Sequence, residues 1–163
     1  EYLRYLGTHD VMSGLYNRAF FDETLLRLES ERHDPISVIV MDLNNLKITN
    51  DRYGHQVGDQ LIRRTGEVLK ASLDDGYIAA RIGGDEFTLI LPDTNEQTAH
   101  AMMERVISLV EMNNKFYREP ELSLSLGSAT SEPGLPLEKV ISLADKTMYS
   151  NKGQYYRRRM EDQ

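Results

Sequence analysis

Residues 77–91 read YIAARIGGDEFTLIL, and this stretch decides the fold. Two apolar, strand-like runs flank the pair Gly83-Gly84. Two glycines between such runs are a strong hairpin signal, because the favoured tight turns need positive φ angles that glycine adopts readily. We therefore expect two antiparallel strands joined by a turn, with Asp85 and Glu86 at its tip.

The segments on both sides of this stretch show the spacing of strands and helices. Residues 36–41 are short, apolar and rich in β-branched side chains, which is typical of a buried strand. Strand-like patterns also cover residues 77–82, 87–91 and 122–126. Apolar side chains recur at helical spacing in residues 17–32, 57–73, 95–116 and 137–152. Either Thr94 or Asn95 can cap the third of these helices.

The resulting element order is β-α-β-β-α-β-α after a helical lead-in at residues 1–6. The central hairpin requires antiparallel pairing, whereas crossover helices imply parallel neighbours. The sequence therefore predicts an α+β domain with a ferredoxin-like mixed sheet, flanking helices and the hairpin at the sheet edge.

Composition limits the classes of function. The chain has 163 residues with 40% hydrophobic content, enough for one domain with a real core. Its net charge of −7 argues against nucleic-acid binding. The absence of cysteine excludes disulfides, thiolate zinc sites and a cysteine nucleophile, and it is consistent with the cytoplasm. The longest apolar run, residues 36–41, is far short of the roughly 20 residues that span a bilayer, so we expect no membrane contact.

Three acidic residues are the candidates for metal chemistry. Asp42 directly follows the predicted buried strand, and Asp85 and Glu86 lie at the hairpin tip. If that strand pairs beside the hairpin, the three carboxylates converge, and their repulsion favours a cation between them. Mg²⁺ held by one or two carboxylates plus substrate phosphates is a common arrangement. The alternative is a set of solvated turn acids, and the spacing alone does not decide between the two.

Standard phosphate and calcium motifs do not fit the neighbouring segment. An EF-hand loop starting at Asp42 fails because Leu46 replaces a ligand, and residues 54–59 lack the Lys-Ser/Thr of a P-loop. Asn50 and Asp59 carry amide and carboxylate groups that can pair with a purine edge. From the residues alone, they could equally be a helix cap and a surface acid.

Several motifs, in order along the chain, resemble those of the GGDEF family of diguanylate cyclases. They are RIGGDEF at residues 81–87, DVMSGLYNR at 10–18, MDLNNLKITND at 41–51, GHQVGD at 54–59, SLG at 125–127 and ADKTMYSNK at 144–152. Asn44 and Leu46 are mild departures from the family pattern D-x-D-x-F-K-x-x-N-D. The resemblance covers residues 10–152.

The resemblance implies a cyclase- and polymerase-palm-like catalytic domain over residues 10–163, after the end of a connector helix at residues 1–9. The implied reaction condenses two GTP into cyclic di-GMP and pyrophosphate, with Mg²⁺ or Mn²⁺ assisting attack of a 3′-hydroxyl on an α-phosphate. A homodimer would bring the two GTP together. A sensor segment would precede this domain in a larger protein, which a membrane could anchor.

The same resemblance implies roles for individual residues. Metal ligands would be Asp42, the Leu43 carbonyl, Asp85 and Glu86, and the catalytic residues would be Lys47, Asp85 and Glu86. Glu86 would bind a second ion or help deprotonate the 3′-hydroxyl. Guanine would be read by Asn50 and Asp59. Phosphates would be held by Lys47, Lys152 and the backbone of Asn45 and Leu46, with Gly83 and Gly84 allowing close approach of the main chain.

Two departures and two alternatives accompany this interpretation. The family's inhibitory R-x-x-D motif falls on Asp74 and Tyr77, so product inhibition should be missing. A family arginine that binds phosphate falls on Tyr156, where Arg157 or Arg158 could substitute. A catalytically silent module that binds GTP or cyclic di-GMP is the first alternative. A nucleotidyltransferase of polymerase or adenylyl-cyclase type is the second, and the guanine-reading pair speaks against it.

Overall fold

The computed structural model describes residues 1–161, with side chains up to residue 152. The elements are α1 (Tyr2–Thr8), α2 (Arg18–Ser30), β1 (Ser37–Leu43), α3 (Leu46–Tyr53), α4 (His55–Ser72), β2 (Ile78–Arg81), β3 (Glu86–Leu91), α5 (Glu96–Tyr117), β4 (Leu124–Thr130) and α6 (Leu137–Glu161). The predicted α+β class is confirmed. The predicted element order is confirmed except for α3, a short helix between β1 and α4 that the sequence analysis did not predict. Within the described part of the chain, no helix has the length and apolar character needed to cross a membrane.

The sheet has the strand order β2-β3-β1-β4, and its three ladders are all antiparallel. The expected parallel neighbours are therefore wrong. Each crossover does join two parallel strands, β1 to β2 and β3 to β4, but one antiparallel strand lies between the members of each pair. The hairpin β2-β3 occupies one edge of the sheet, as the sequence predicts.

Strand β1 is buried on both faces, and its side chains alternate between the two faces of the sheet. This alternation decides on which face the Asp42 carboxylate lies. Side chains of successive strand residues point to opposite faces. Ile39 and Met41 belong to the core cluster that includes residues of α4 and α5, whereas Val38 and Val40 belong to the cluster that includes residues of α2 and α6. Asp42 continues the second series, so its carboxylate lies on the α6 side of the sheet.

Helix α6 packs directly on β4 at Gly127. A Cβ atom at this position would lie 2.2 Å from the backbone nitrogen of Met148 and 2.3 Å from the carbonyl oxygen of Ala144. Only glycine allows this approach of helix to strand, because any side chain would collide with rigid backbone. The close contact brings the far part of α6, including Lys152, over the end of β1.

Two predicted strand boundaries are corrected by the ladder, and the structure decides between the two candidate caps of α5. β1 extends to Leu43 rather than residue 41, because Asp42 pairs with both neighbouring strands; Asp42 is thus the penultimate residue of the strand. β4 begins at Leu124 rather than residue 122. Asn95, not Thr94, caps α5, since its Oδ1 accepts the amide hydrogen of Thr98 at 2.9 Å.

The turn between β2 and β3 is wider than expected. Four residues separate the strands, and neither Gly83 nor Gly84 has φ in the left-handed region. A loop of this length closes the hairpin without the positive φ angles that two-residue turns require. The two glycines leave the main chain bare instead, since a Cβ at Gly84 would meet nothing within 4 Å.

Candidate active site

The end of β1 lies beside the tip of the hairpin. Asp42 is the direct cross-strand partner of Glu86 on one side and of Ser125 on the other. The next residue, Leu43, donates its amide hydrogen to the carbonyl oxygen of Asp85 at 2.8 Å. The sequence analysis expected the acids to converge if β1 paired beside the hairpin, and this strand pairing is confirmed. Asp42, Asp85 and Glu86 share one rim of the sheet.

Asp42 is only 9% exposed, and its two carboxylate oxygens differ in environment. Oδ2 accepts a hydrogen bond from the Lys152 ammonium group. Oδ1 is buried and has no hydrogen-bond partner among the described residues. Burial raises the pKa of Asp42, the Lys152 bond acts against that rise, and the negative charge of Asp85 adds to it. One of the two Asp42 oxygens therefore has no partner that would stabilise its negative charge.

Glu86 stands at the edge of the same acidic rim. Partial burial raises the pKa of Glu86, and the charges of Asp42, Asp85 and Asp145 raise it further. Arg18, the first residue of α2, lowers it in part. A glutamate with a raised pKa is a stronger base than an ordinary glutamate, which suits a group that accepts a proton.

A divalent cation fits this rim with two protein carboxylates rather than three. Within the described residues, no group of three or more His, Cys, Asp or Glu side chains could hold a metal, so the expected three-carboxylate cluster is not formed as such. The mutual effect of Asp42 and Asp85 shows that these two lie close together. Mg²⁺ commonly takes one or two carboxylates and completes its shell with substrate and water oxygens. The unpartnered Asp42 Oδ1 is the atom that such an ion would satisfy.

A charged clamp holds the glycine turn in place. Arg81 donates from Nε to the carbonyl of Gly83 at 3.1 Å and from Nη2 to the carbonyl of Gly84 at 2.8 Å. Its Nη1 reaches the Asp10 carboxylate at 3.2 Å. Burial acts to raise the pKa of Asp10, but hydrogen bonds from Ser13 and the Arg81 charge bring it below its ordinary value. The turn is thus fixed from the α1–α2 loop.

The sequence contained this clamp but did not reveal it. Asp10 and Arg81 both stand in the motifs that carry the family resemblance, yet they are 71 residues apart along the chain. Opposite charges in two separate motifs were the signal. Nothing in local spacing pairs them, because the loop reaches the hairpin through a bridge between Tyr16 and Ala80 of β2.

The corner between α3 and α4 brings together the two predicted guanine readers. The Asn50 side chain lies against Gly58, where an added Cβ would come within 1.7 Å of Asn50 Oδ1. Asp59 follows Gly58 directly in α4. Asn50 Oδ1 is buried and, among the described side chains, has no hydrogen-bond partner. Gly58 is a functional candidate that the sequence reasoning missed.

The predicted phosphate cradle lies between β1 and α3. Asn45 adopts the left-handed conformation with φ 64° and starts α3 at Leu46. The first amides of a helix have no intrahelical acceptor, so they can bind an anion. Lys47 is exposed on the first turn of this helix. Lys152, predicted to contact phosphate, is bonded to Asp42 at the same rim.

The comparisons with known proteins agree with this geometry. The model of the family "Diguanylate cyclase, GGDEF domain" matches residues 7–158. The chain belongs to the GGDEF family. This GGDEF domain is 34% identical to diguanylate cyclase DgcS of Shewanella oneidensis over 88% of this chain and 49% of that protein. It is 33% identical to the probable diguanylate cyclase DgcT of Escherichia coli over 90% of this chain and 34% of that protein. The chain therefore spans half or less of these relatives.

Solved GGDEF structures share the fold. The coiled coil and GGDEF domain of DgcB from Caulobacter crescentus, in complex with c-di-GMP, superposes with a TM-score of 0.79 at 26% identity, covering 94% of this chain and 84% of that one. Diguanylate cyclase SiaD of Pseudomonas aeruginosa, in complex with its activator SiaC, has a TM-score of 0.81 at 26% identity, covering 94% of this chain and 61% of that one. The palm-like fold expected from the resemblance is thereby confirmed.

Two further departures from the family pattern, besides Asn44 and Leu46, concern the inhibitory motif and the phosphate-binding arginine. Asp74 forms an ion pair with Arg105 at 3.2 Å, and Tyr77 accepts a hydrogen bond from Thr94 Oγ1 at 3.0 Å. Tyr156, at the position of the phosphate-binding arginine, and its proposed substitutes Arg157 and Arg158 lie outside the side chains that the structure describes.

Proposed function

We propose that this domain is an active diguanylate cyclase that condenses two GTP into cyclic di-GMP. The observation that carries the proposal is the buried, unpartnered Oδ1 of Asp42 at the hairpin rim, within the described residues. A buried carboxylate oxygen without a donor is costly unless a ligand completes it. Membership of the GGDEF family supports cyclic di-GMP as the product.

Asp42, Asp85 and the Leu43 carbonyl would hold Mg²⁺ or Mn²⁺. Such an ion would neutralise charge on the phosphates and on the attacking oxygen. Glu86 accepts the proton of the 3′-hydroxyl on a carboxylate oxygen, which its raised pKa favours, or contacts a second ion. The bare main chain at Gly83 and Gly84 lets the nucleotide approach without a side chain in the way.

The remaining residues bind and orient GTP. Asn50 and Asp59 read the guanine edge, and Gly58 leaves room for the Asn50 amide to turn toward it. The backbone of Asn45 and Leu46, with Lys47 and Lys152, cradles the phosphates. Positioning of this kind, together with charge neutralisation, supplies most of the catalysis in phosphoryl transfer.

Each domain offers one set of these residues, so two domains must face each other. In each half-reaction, the 3′-oxygen of one GTP forms a bond to the α-phosphorus of the other. The bond from that phosphorus to the bridging oxygen breaks, pyrophosphate leaves, and the 3′-hydroxyl proton passes to Glu86. Two such steps close the ring in a homodimer with approximate two-fold symmetry.

We further propose that residues 1–9 are the end of a connector and residues 10–163 the catalytic domain. α1 has no buried residue, and it exposes Tyr2 and Leu3 by 68% and 81%. Side chains of this kind suit contact with a second connector helix. A preceding sensor segment would act through that contact.

The decisive experiment incubates the protein with Mg²⁺ and GTP and measures cyclic di-GMP by chromatography. We expect product, a rate that rises faster than linearly with protein concentration, and loss of product in Glu86→Gln. Binding of GTP without turnover would instead identify the silent module. Full turnover by a verified monomer would rule out the two-domain mechanism.

A further inference from the structure

Asn44 is an amide enclosed by hydrogen bonds at the end of β1. It is 2% exposed. Its Nδ2 donates to Ser123 Oγ at 3.0 Å, and its Oδ1 accepts from Ser125 Oγ at 3.1 Å. Its backbone nitrogen donates to the carbonyl of Ser123 at 2.8 Å. Both ends of the side chain are therefore held, one by Ser123 just before β4 and the other by Ser125 within β4.

This clasp fixes a turn that the site depends on. Leu43 is bonded through its nitrogen to Asp85 on the hairpin side, whereas Asn44 is bonded to Ser123 on the β4 side. The end of β1 is thus held from both flanks. Asn45 then reverses into the left-handed region and starts α3. The direction in which the amides of the cradle point follows from how residue 44 is held.

The clasp also determines which group stays near Asp42. Ser125 is the direct cross-strand partner of Asp42, yet its hydroxyl donates to Asn44 instead. Asp42 Oδ1 consequently remains without a donor among the described residues.

We propose that Asn44, clasped by Ser123 and Ser125, is a positioning residue that sets the Leu43–Leu46 turn for the nucleotide phosphates. This inference rests on the proposed function, because the turn has a task only if a guanine nucleotide binds there. Asn44 touches no reacting atom and acts through the backbone of its neighbours. It lies two residues beyond Asp42, at a position where the chain departs from the family pattern.

The test compares Asn44→Ala and Ser125→Ala with the conservative Asn44→Asp, whose oxygens can accept from both serine hydroxyls. The matched control is Thr130→Val. It removes the hydroxyl pair of Thr130 with Ser37, 2.7 Å apart, which joins the same two strands at their other end. For each variant we would measure the Tm and the Kd of a GTP analogue with a methylene bridge between the α and β phosphorus. KM and kcat with GTP complete the set.

Asn44→Ala and Ser125→Ala should weaken analogue binding and raise KM by about 5- to 20-fold, with a smaller change in kcat. Asn44→Asp should stay within about threefold of wild type, since it keeps both contacts. Thr130→Val should lower the Tm as much as Ser125→Ala does while leaving Kd and KM unchanged. If Asn44→Ala does not fold, Ser125→Ala still gives the answer.

The proposal is overturned if Ser125→Ala and Thr130→Val lower the Tm alike and neither changes the Kd or KM. Asn44 would then be structural only. Failure of the proposed function has a different signature. Wild type that binds the analogue but makes no cyclic di-GMP leaves the binding comparison valid, whereas wild type that binds no guanine nucleotide overturns both ideas.

Discussion

The two ends of β1 are built in opposite ways. At the Ser37 end, the hydroxyl of Ser37 donates to the carbonyl of Thr94 at 2.8 Å and pairs with Thr130. At the other end, Asp42 leaves a buried oxygen without a partner, and Asn50, in the helix α3 that follows this end of β1, does the same. These two oxygens are the buried side-chain atoms of the described residues that lack a hydrogen bond. Native structures leave few such atoms, so these two oxygens support the proposal that this end of β1 leads into the binding site.

The acids at the two ends show the same contrast. A hydrogen bond from Ser131 lowers the pKa of Asp34, with help from Arg32 against the effect of burial. Burial and Asp85 raise the pKa of Asp42. Asp34 therefore stabilises the fold above the ordinary aspartate pKa and loses that effect as pH falls. For Asp42 the sign is reversed, and stability is lost as pH rises through its folded-state pKa. The Asp34 end therefore serves stability, whereas under the proposed function the Asp42 end trades stability for ligand binding.

The largest expected effect separates these roles by matched substitutions. Asp42→Asn removes a predicted metal ligand and should lower kcat by about 100-fold or more, while the Tm is unchanged or rises. Asp34→Asn weakens bonds to Ser131 and Arg32, so it should lower the Tm and leave kcat nearly intact. Cyclase assays and thermal unfolding measure both. Similar activity in the two variants would end the functional distinction between the ends.

The second effect concerns the other unpartnered oxygen. Gly58→Ala would place a Cβ 1.7 Å from Asn50 Oδ1, so the amide must turn away from its present position. We expect the KM for GTP to rise about tenfold, since misplacing a binding group is costly even when the fold survives. Gly7→Ala is the control, because its helical Cβ would meet nothing within 4 Å. Unchanged GTP affinity in Gly58→Ala would remove Asn50 from the guanine pocket.

This contrast was only partly visible in the sequence. Hydrophobic periodicity predicted the element order and the hairpin, because each is encoded within a short window. The strand order was not encoded there, so the parallel neighbours were wrong and the contacts of Asn44 with Ser123 went unnoticed. Asp42 and Asp85 could be named as candidate metal ligands from the sequence, because each lies at the end of a strand-like segment.

The details that the sequence did not give are those that decide the geometry. The ladder carries Asp42 into the strand rather than beyond it, which buries the carboxylate and raises its pKa. The clamp between Arg81 and Asp10 and the contact of Gly58 with Asn50 are likewise products of packing. Such contacts join segments whose distance in space no local pattern states.

A smaller effect is expected on the Tm of Glu86→Gln when divalent metal ions are removed. Glu86 has a raised pKa, so its stabilising contribution is present below the ordinary glutamate pKa of about 4.3 and is lost as pH rises through its folded-state pKa. Glu86→Gln removes that loss. In EDTA at pH 7, its Tm should exceed that of wild type by a few degrees at most, given roughly 2–4 °C per kcal/mol.

The pH dependence distinguishes this origin from a general effect of removing charge. The Tm difference should shrink as pH falls through the raised pKa of Glu86, because wild-type Glu86 becomes neutral there as well. Glu104→Gln, on exposed α5, serves as the control and should show no such convergence. A Tm for Glu86→Gln at or below that of wild type at pH 7 would mean that the rim is not under repulsion.

The smallest expected effect concerns inhibition by the product, cyclic di-GMP, near the Ser37 end of β1. Tyr77 replaces the acid of the family's R-x-x-D motif, and its hydroxyl accepts from Thr94, the residue that also accepts from Ser37. Asp74 replaces the arginine and is paired with Arg105. The end that serves stability therefore offers an anion no free pair of cations among these residues, and added cyclic di-GMP should inhibit by less than about twofold.

Asp74→Arg would sharpen this last comparison. It replaces the partner of Arg105 with a second cation, so calorimetry should show tighter binding of cyclic di-GMP while the KM for GTP stays the same. Strong non-competitive inhibition of the wild type would contradict the assignment, because a product site would then exist where Asp74 and Tyr77 are already engaged. Weak inhibition in both proteins would place the missing determinant at Tyr77, whose hydroxyl belongs to the network that closes this end of β1.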